Sequence, residues 1–199
     1  MSADHGTGRL GAVILARHGK PALSRKVLLS SQDYQAWWAR YEAGSLRPDQ
    51  SVPPSLLAMA LDAGAVVAST RTRSVETARA VMGARDFVSD AVFVEAPLPP
   101  PRLPRWIRLP PIVWGFISRV TWWFFDLHLG EESRREAEAR AEAAASRLIG
   151  MASEGKDVLV LAHGFFNTMI ARVLRRRGWR CTVDEGYRYW SARRFEKRI

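Results

Sequence analysis

The chain has 199 residues and a globular composition, with 47% hydrophobic and 25% charged residues, one cysteine and a net charge of +10. That length suits one α/β domain with an insertion, and it buries a sufficient core without disulfides or metal. The lone Cys181 excludes an internal disulfide and points to a reducing compartment.

Arginine supplies 26 of the 30 basic residues, which suits an anionic partner: a phosphorylated molecule, a nucleic acid or an acidic membrane surface. An Arg-rich solvated surface fits equally well. The basic residues are spread along the chain, no nucleic-acid-binding motif occurs, and neither CxxC nor HExxH spacing is present. Neither a nucleic-acid partner nor a metal or other cofactor is therefore expected. Residues 1–10 are polar and Gly-containing, and the apolar run after them is only a strand long. No signal peptide is expected, and the expected location is cytoplasmic.

In chain order, residues 11–16 form a short apolar strand. Residues 31–43, with a Ser/Asp start and Gly44 as a stop, predict a helix, and residues 54–63 predict another. Ala65-Val66-Val67-Ala68 is a buried strand, followed by a helix over about 72–82 that Gly83 closes. Residues 87–94 alternate loosely, as a strand does. Pro97, Pro99, Pro100, Pro101, Pro104, Pro110 and Pro111 then leave only a semi-rigid, extended connector over 97–111. Residues 112–129 are apolar on nearly every helical face, interrupted by Arg119 and Asp126, and Gly130 ends them. Residues 131–149, rich in Ala, Glu and Arg, predict a helix. A strand at 157–162 and a helix at 165–177 restore the earlier rhythm, and residues 187–196, alternating aromatic and basic, predict a last, edge strand. The alternation implies a three-layer α/β/α sandwich on a mostly parallel sheet. It is read as a single domain over 1–199 with a Pro/Trp-rich helical cap insertion at about 97–149.

Two of the strands end alike. Val13 to Ala16 runs into Arg17-His18-Gly19, and Val158 to Ala162 runs into His163-Gly164. Chemistry in open α/β sheets gathers at the carboxyl ends of strands, so two such histidines point to one site. Ser69 with Arg71-Thr72-Arg73 follows a third strand, and Glu95 follows the strand read at 87–94. Arginine forks match phosphate oxygens, a neutral imidazole is a nucleophile towards phosphorus, and a carboxylic acid can protonate a departing alkoxide.

These residues resemble the signature of the histidine phosphatase superfamily, the phosphoglycerate-mutase-like fold. Arg17-His18-Gly19 is similar to its first motif, Ser69 to Ala78 to its Ser-x-x-x-Arg…Thr-Ala motif, and His163-Gly164 to its late His-Gly. Gly130-Glu131-Glu132-Ser133 is similar to the family's Gly-Glu-Ser before the next helix. The resemblance covers roughly residues 11–175. It implies that His18 is the nucleophile, that Arg17, Arg73 and His163 hold the phosphoryl oxygens, and that Glu95 is the acid. It implies a metal-independent phosphatase acting through a phosphohistidine on a phosphorylated small molecule. Lys20, Ser24 and Arg71 are further candidate substrate contacts. The chain departs from the family where Lys20 and Pro21 follow Gly19, where Ser24 replaces the usual Asn, and where Phe165 and Phe166 replace small residues.

Two alternatives stand beside hydrolysis: a phosphoglycerate-mutase-like phosphoryl transferase, and a membrane- or partner-binding module of the same fold. The Trp-rich stretch within 102–129 fits a buried cap helix, a homodimer surface or a membrane-surface helix flanked by Arg102, Arg105 and Arg108. It is too short and too charged for a spanning helix.

Overall fold

The structure, a computed structural model, describes residues 10–197; residues 1–9, with His5, and residues 198 and 199 lie outside it. Its centre is a six-stranded sheet of β1 (Val13–Arg17), β2 (Ala63–Ser69), β3 (Val88–Asp90), β4 (Asp157–Ala162), β5 (Arg180–Asp184) and β6 (Ala192–Glu196) in the order β3-β2-β4-β1-β6-β5. Strands β3, β2, β4 and β1 run parallel, while β6 is antiparallel to both β1 and β5. The α/β/α sandwich expected from the alternation is therefore the fold.

Alternation along the strands explains the layers. Val13 and Leu15 of β1, with Val158, Val160 and Ala162 of β4, face one helical layer; Ile14, Ala16, Leu159 and Leu161 face the other. The first layer holds α5 (Arg134–Ala152) and α6 (Gly164–Arg176). Helix α5 buries Ala137, Ala141, Ala144, Ala145 and Ala152 around one Leu148, and this small-residue face lets it lie close to the sheet. Ser133 and Glu136 cap it reciprocally. The second layer holds α2 (Pro54–Asp62) and α3 (Thr72–Met82). Helix α1 (Ser31–Ala43), capped by Ser30 with Asp33, packs Tyr34, Trp37 and Tyr41 against Trp114 of α4 (Pro111–Phe125) in a third, aromatic cluster at the strand ends.

Four sequence readings change. The strand read at 87–94 is only β3, because Asp90 accepts from the Val92 N–H and turns the chain into a 3-10 helix over Ala91–Phe93. The apolar helix ends at Phe125 rather than at Gly130, where Asp126 takes a left-handed conformation. The last strand, β6, lies inside the sheet because β5, which periodicity did not reveal among its exposed polar residues, covers it as the edge. Within 97–149, the Pro-rich strap and α4 stand over the strand ends, whereas α5 belongs to the sheet's own packing. Among the described residues no helix is long and apolar enough to cross a membrane.

Candidate active site

Strands β1 and β4 are neighbours in register, with Arg17 opposite Ala162, so His18 and His163 emerge side by side at their carboxyl ends. Their rings meet edge to face with centroids 5.2 Å apart. Gly19 follows His18 because the Trp190 ring lies where a side chain would begin: a Cβ there would stand 2.3 Å from it. Gly164 likewise leaves room for the Arg17 guanidinium, 3.2 Å from a Cβ placed there.

The hydrogen bonds set the imidazole tautomers. His18 Nδ1 faces the Gly19 carbonyl at 2.7 Å and must donate to it, so Nε2 carries the lone pair, which accepts from Arg73 Nε at 3.1 Å. His163 Nδ1 accepts from Arg73 Nη2 at 3.2 Å, and its Nε2–H faces Ser69 Oγ at 2.9 Å. Arg73, from the first turn of α3, is fully buried between the two rings. Its Nη1 donates to the Tyr41 and Glu42 carbonyls at 3.1 and 3.0 Å, and Nη2 donates to Glu42 Oε1 at 2.6 Å. The other Glu42 oxygen stands 2.9 Å from Arg71 Nε, off the N–H axis, as a charge pair rather than a hydrogen bond.

Arg17 differs. Its Nη1 donates to the Tyr187 carbonyl at 2.6 Å and its guanidinium lies 4.3 Å over the Tyr189 ring, but its buried Nε has no partner in the protein. Glu95 lies against the start of α6: Oε1 accepts from the Ala96 and Phe166 N–H groups at 3.1 and 2.9 Å, and Oε2 from that of Phe165 at 3.2 Å. Oε2 thus keeps more acceptor capacity than Oε1.

Arg17, His18, Arg73 and Glu95 line one pocket of about 450 Å³ whose outer walls are aromatic and apolar, with Trp38, Ile112 and Phe116 among them. His163 lies behind Arg73 and reaches the pocket through it. Lys20 and Ser24 do not line it: Lys20 is exposed with its main chain tied to Gln50, and Ser24 binds the Lys26 N–H and, through its carbonyl, Trp37. Arg71 faces a neighbouring pocket of about 590 Å³ that shares Trp38 and Glu95.

Two lining arginines escaped the sequence reading. Arg25 donates to Tyr41 Oη at 2.6 Å. Arg119 reaches down from α4, 3.6 Å over the Phe165 ring, with only 3.4 Å contacts to the Ala96 and Pro97 carbonyls. Burial pulls it down to about 10, and the Glu95 carboxylate opposes that pull. Its signal was legible as the one charge between apolar turns of α4; Glu42, in the last turn of α1, had none.

Burial first, then the Arg73 guanidinium, hold both imidazoles well below the ordinary histidine pKa and hence neutral. Unfolding frees both to take protons below about pH 6.5. Their contribution to stability is complete above that pH and is lost as pH falls towards the folded-state values, at up to ~1.4 kcal/mol per pH unit for each ring. Denaturant titrations between about pH 7 and about pH 5 should show this slope, and the double variant His18→Asn/His163→Asn should flatten it. An equal slope in the variant would assign the protons elsewhere.

No protein-family model matches the chain, and no curated protein matches it. Solved structures share its fold. A phosphoserine phosphatase from Entamoeba histolytica aligns over 84% of this chain and 81% of its own at TM-score 0.55 and 14% identity. A mycobacterial glucosyl-3-phosphoglycerate phosphatase aligns over 84% and 81% at TM-score 0.54 and 16% identity. A phosphoglycerate mutase from Bacillus anthracis aligns over 86% and 82% at TM-score 0.51 and 16% identity. At these identities the likeness is one of fold.

Proposed function

We propose that this chain, which has the fold of the histidine phosphatases, hydrolyses a phosphate monoester through a phosphohistidine on His18 Nε2. What supports the reading is the neutral His18 imidazole, its Nε2 lone pair held at 3.1 Å by an arginine that also holds the second histidine. The arriving phosphoryl group takes the Arg73 donor from Nε2 and frees the lone pair. Nε2 then attacks phosphorus in line, the ester P–O bond breaks, and the departing oxygen takes a proton from Glu95 Oε2. In the second half, the Glu95 carboxylate takes a proton from water, the water oxygen bonds to phosphorus, and the P–N electron pair returns to Nε2.

The charge that builds on the phosphoryl oxygens is met by fixed guanidinium groups. Arg17 offers its unpartnered Nε, and Arg73 its shared fork. His163, hydrogen-bonded to Arg73 and Ser69, holds that fork in place. With four arginines lining the pocket, hydrolysis is proposed to need no metal.

The test is to mix the protein with para-nitrophenyl phosphate in the presence of a chelator, quench in base and locate the phosphoryl group by mass spectrometry. A base-stable phosphoramidate on His18 with steady nitrophenol release is the expected result. Release that needs an added bisphosphate would instead favour the mutase reading. Turnover with no phosphorylated histidine would overturn the mechanism.

A further inference from the structure

Helix α4 has two unlike sides. Trp114 and Trp122 are fully buried and tie it down, donating through Nε1 to the Leu29 carbonyl at 2.7 Å and the Glu132 carbonyl at 3.0 Å. At 3.6 residues per turn, the residues within about 140° on the other side are Ile112, Val113, Phe116, Ile117, Val120, the half-buried Trp123 and Phe124, without one charged group. Phe116 is 69% exposed and Phe124 73%. A helix anchored by one face ordinarily turns charge outward; this one turns out hydrocarbon.

The apolar face does not stand alone. The strap before it carries Arg102, Arg105 and Arg108, all exposed, around Trp106, which is 80% exposed. Residues 97–125 contain four arginines and not one Asp or Glu. At its other edge the face runs into the candidate active site, since Ile112 and Phe116 are at once exposed and part of the pocket wall.

We infer that α4 and the strap dock on an anionic bilayer, and that the substrate is the phosphate monoester headgroup of a lipid in it. This rests on the hydrolytic reading above. The arginines and Trp106 meet the headgroup layer, and the α4 face enters the acyl boundary. The pocket mouth then opens at the level where a lipid phosphate lies, with the acyl chains passing along Ile112 and Phe116 and the phosphate entering among Arg17, Arg25 and Arg119. A second copy of the chain fits this surface poorly. A twofold contact sets a patch against itself, and this patch, with three exposed arginines and no Asp or Glu in residues 97–125, offers itself no opposite charge.

The experiment uses the full chain with vesicles of phosphatidylcholine alone or with phosphatidylglycerol, read by co-sedimentation. It also compares hydrolysis of phosphatidic acid in vesicles with that of para-nitrophenyl phosphate in solution. Binding is expected only to the anionic vesicles. Two variants outside the pocket, Phe124→Ser/Phe125→Ser and Arg105→Ala/Arg108→Ala, should each weaken it by about tenfold or more. Both should lose phosphatidic acid hydrolysis to a similar extent while keeping the parent rate on the soluble ester. Hydrolysis of the soluble ester with no vesicle binding would overturn this inference and leave the hydrolytic reading standing. A dimer that these variants dissolve, without vesicle binding, would assign the face to a second copy. Vesicle binding without hydrolysis of either ester would keep the docking surface and remove the lipid as substrate together with the hydrolytic reading.

Discussion

Phosphomonoester turnover is expected to fall by about a thousandfold or more in His18→Ala and in His18→Asn alike, because each removes the Nε2 atom proposed to bond phosphorus. The two variants separate chemistry from architecture. His18 is buried and carries one partner on each ring nitrogen, the Gly19 carbonyl and Arg73 Nε. Alanine leaves a cavity and an unpaired Arg73 N–H, which costs about 1–3 kcal/mol for the unmade bond. Asparagine retains a donor at the Nδ1 level for the Gly19 carbonyl and fills part of the cavity, so it should preserve more of the stability than alanine while turnover stays lost. Steady-state rates beside thermal denaturation check both halves. Turnover within tenfold of the parent in either variant would remove His18 from the chemistry.

Arg73→Lys is expected to lower turnover by about a hundredfold or more and the melting temperature by about 10 °C. The guanidinium spends its donors on two imidazoles, two main-chain carbonyls and Glu42 at once. A lysine ammonium is a single point with three donors and cannot span those directions. The charge survives but the fork does not, and Glu42, little exposed, keeps only Arg71 beside it. Each buried acceptor that the lysine leaves without its donor costs about 1–3 kcal/mol. Glu42→Gln tests the same assembly from the other end: it should slow turnover less than Arg73→Lys, since the amide still accepts from Nη2. An Arg73→Lys protein as stable and active as the parent would show that the fork is dispensable.

The helices and inner strands were legible because their signals are local. Ser30 and Asp33 announce α1, Gly83 closes α3, and the run from Val158 to Ala162 is apolar from end to end where both faces are covered. What escaped lies in pairings between distant segments. Strand β5 is exposed at every residue but the half-buried Cys181 and exists by pairing with β6. Part of the candidate site was legible for the same reason as the strands: His18, Arg73 and His163 each follow directly on a strand or open the next helix. Ser24 looked like a substrate contact by its position in a motif, yet its neighbour Arg25 faces the pocket, because in an irregular segment one residue reverses direction. Phe165 and Phe166, odd where small residues were expected, are the surfaces on which Arg119 and Arg140 lie.

Strand β1 sits between β4 and β6, so the segment made early in the chain is enclosed by two made late. Arg17 bonds to Tyr187 across 170 positions, and Arg73 to His163 across 90. Closures of that span are slow and come after local helices have formed. During synthesis the proposed nucleophile therefore waits, unassembled, until β4 and β6 have left the ribosome. A nascent chain stalled before β4 would hold its histidine and arginines in water as independent side chains, unable to act on the phosphates around it.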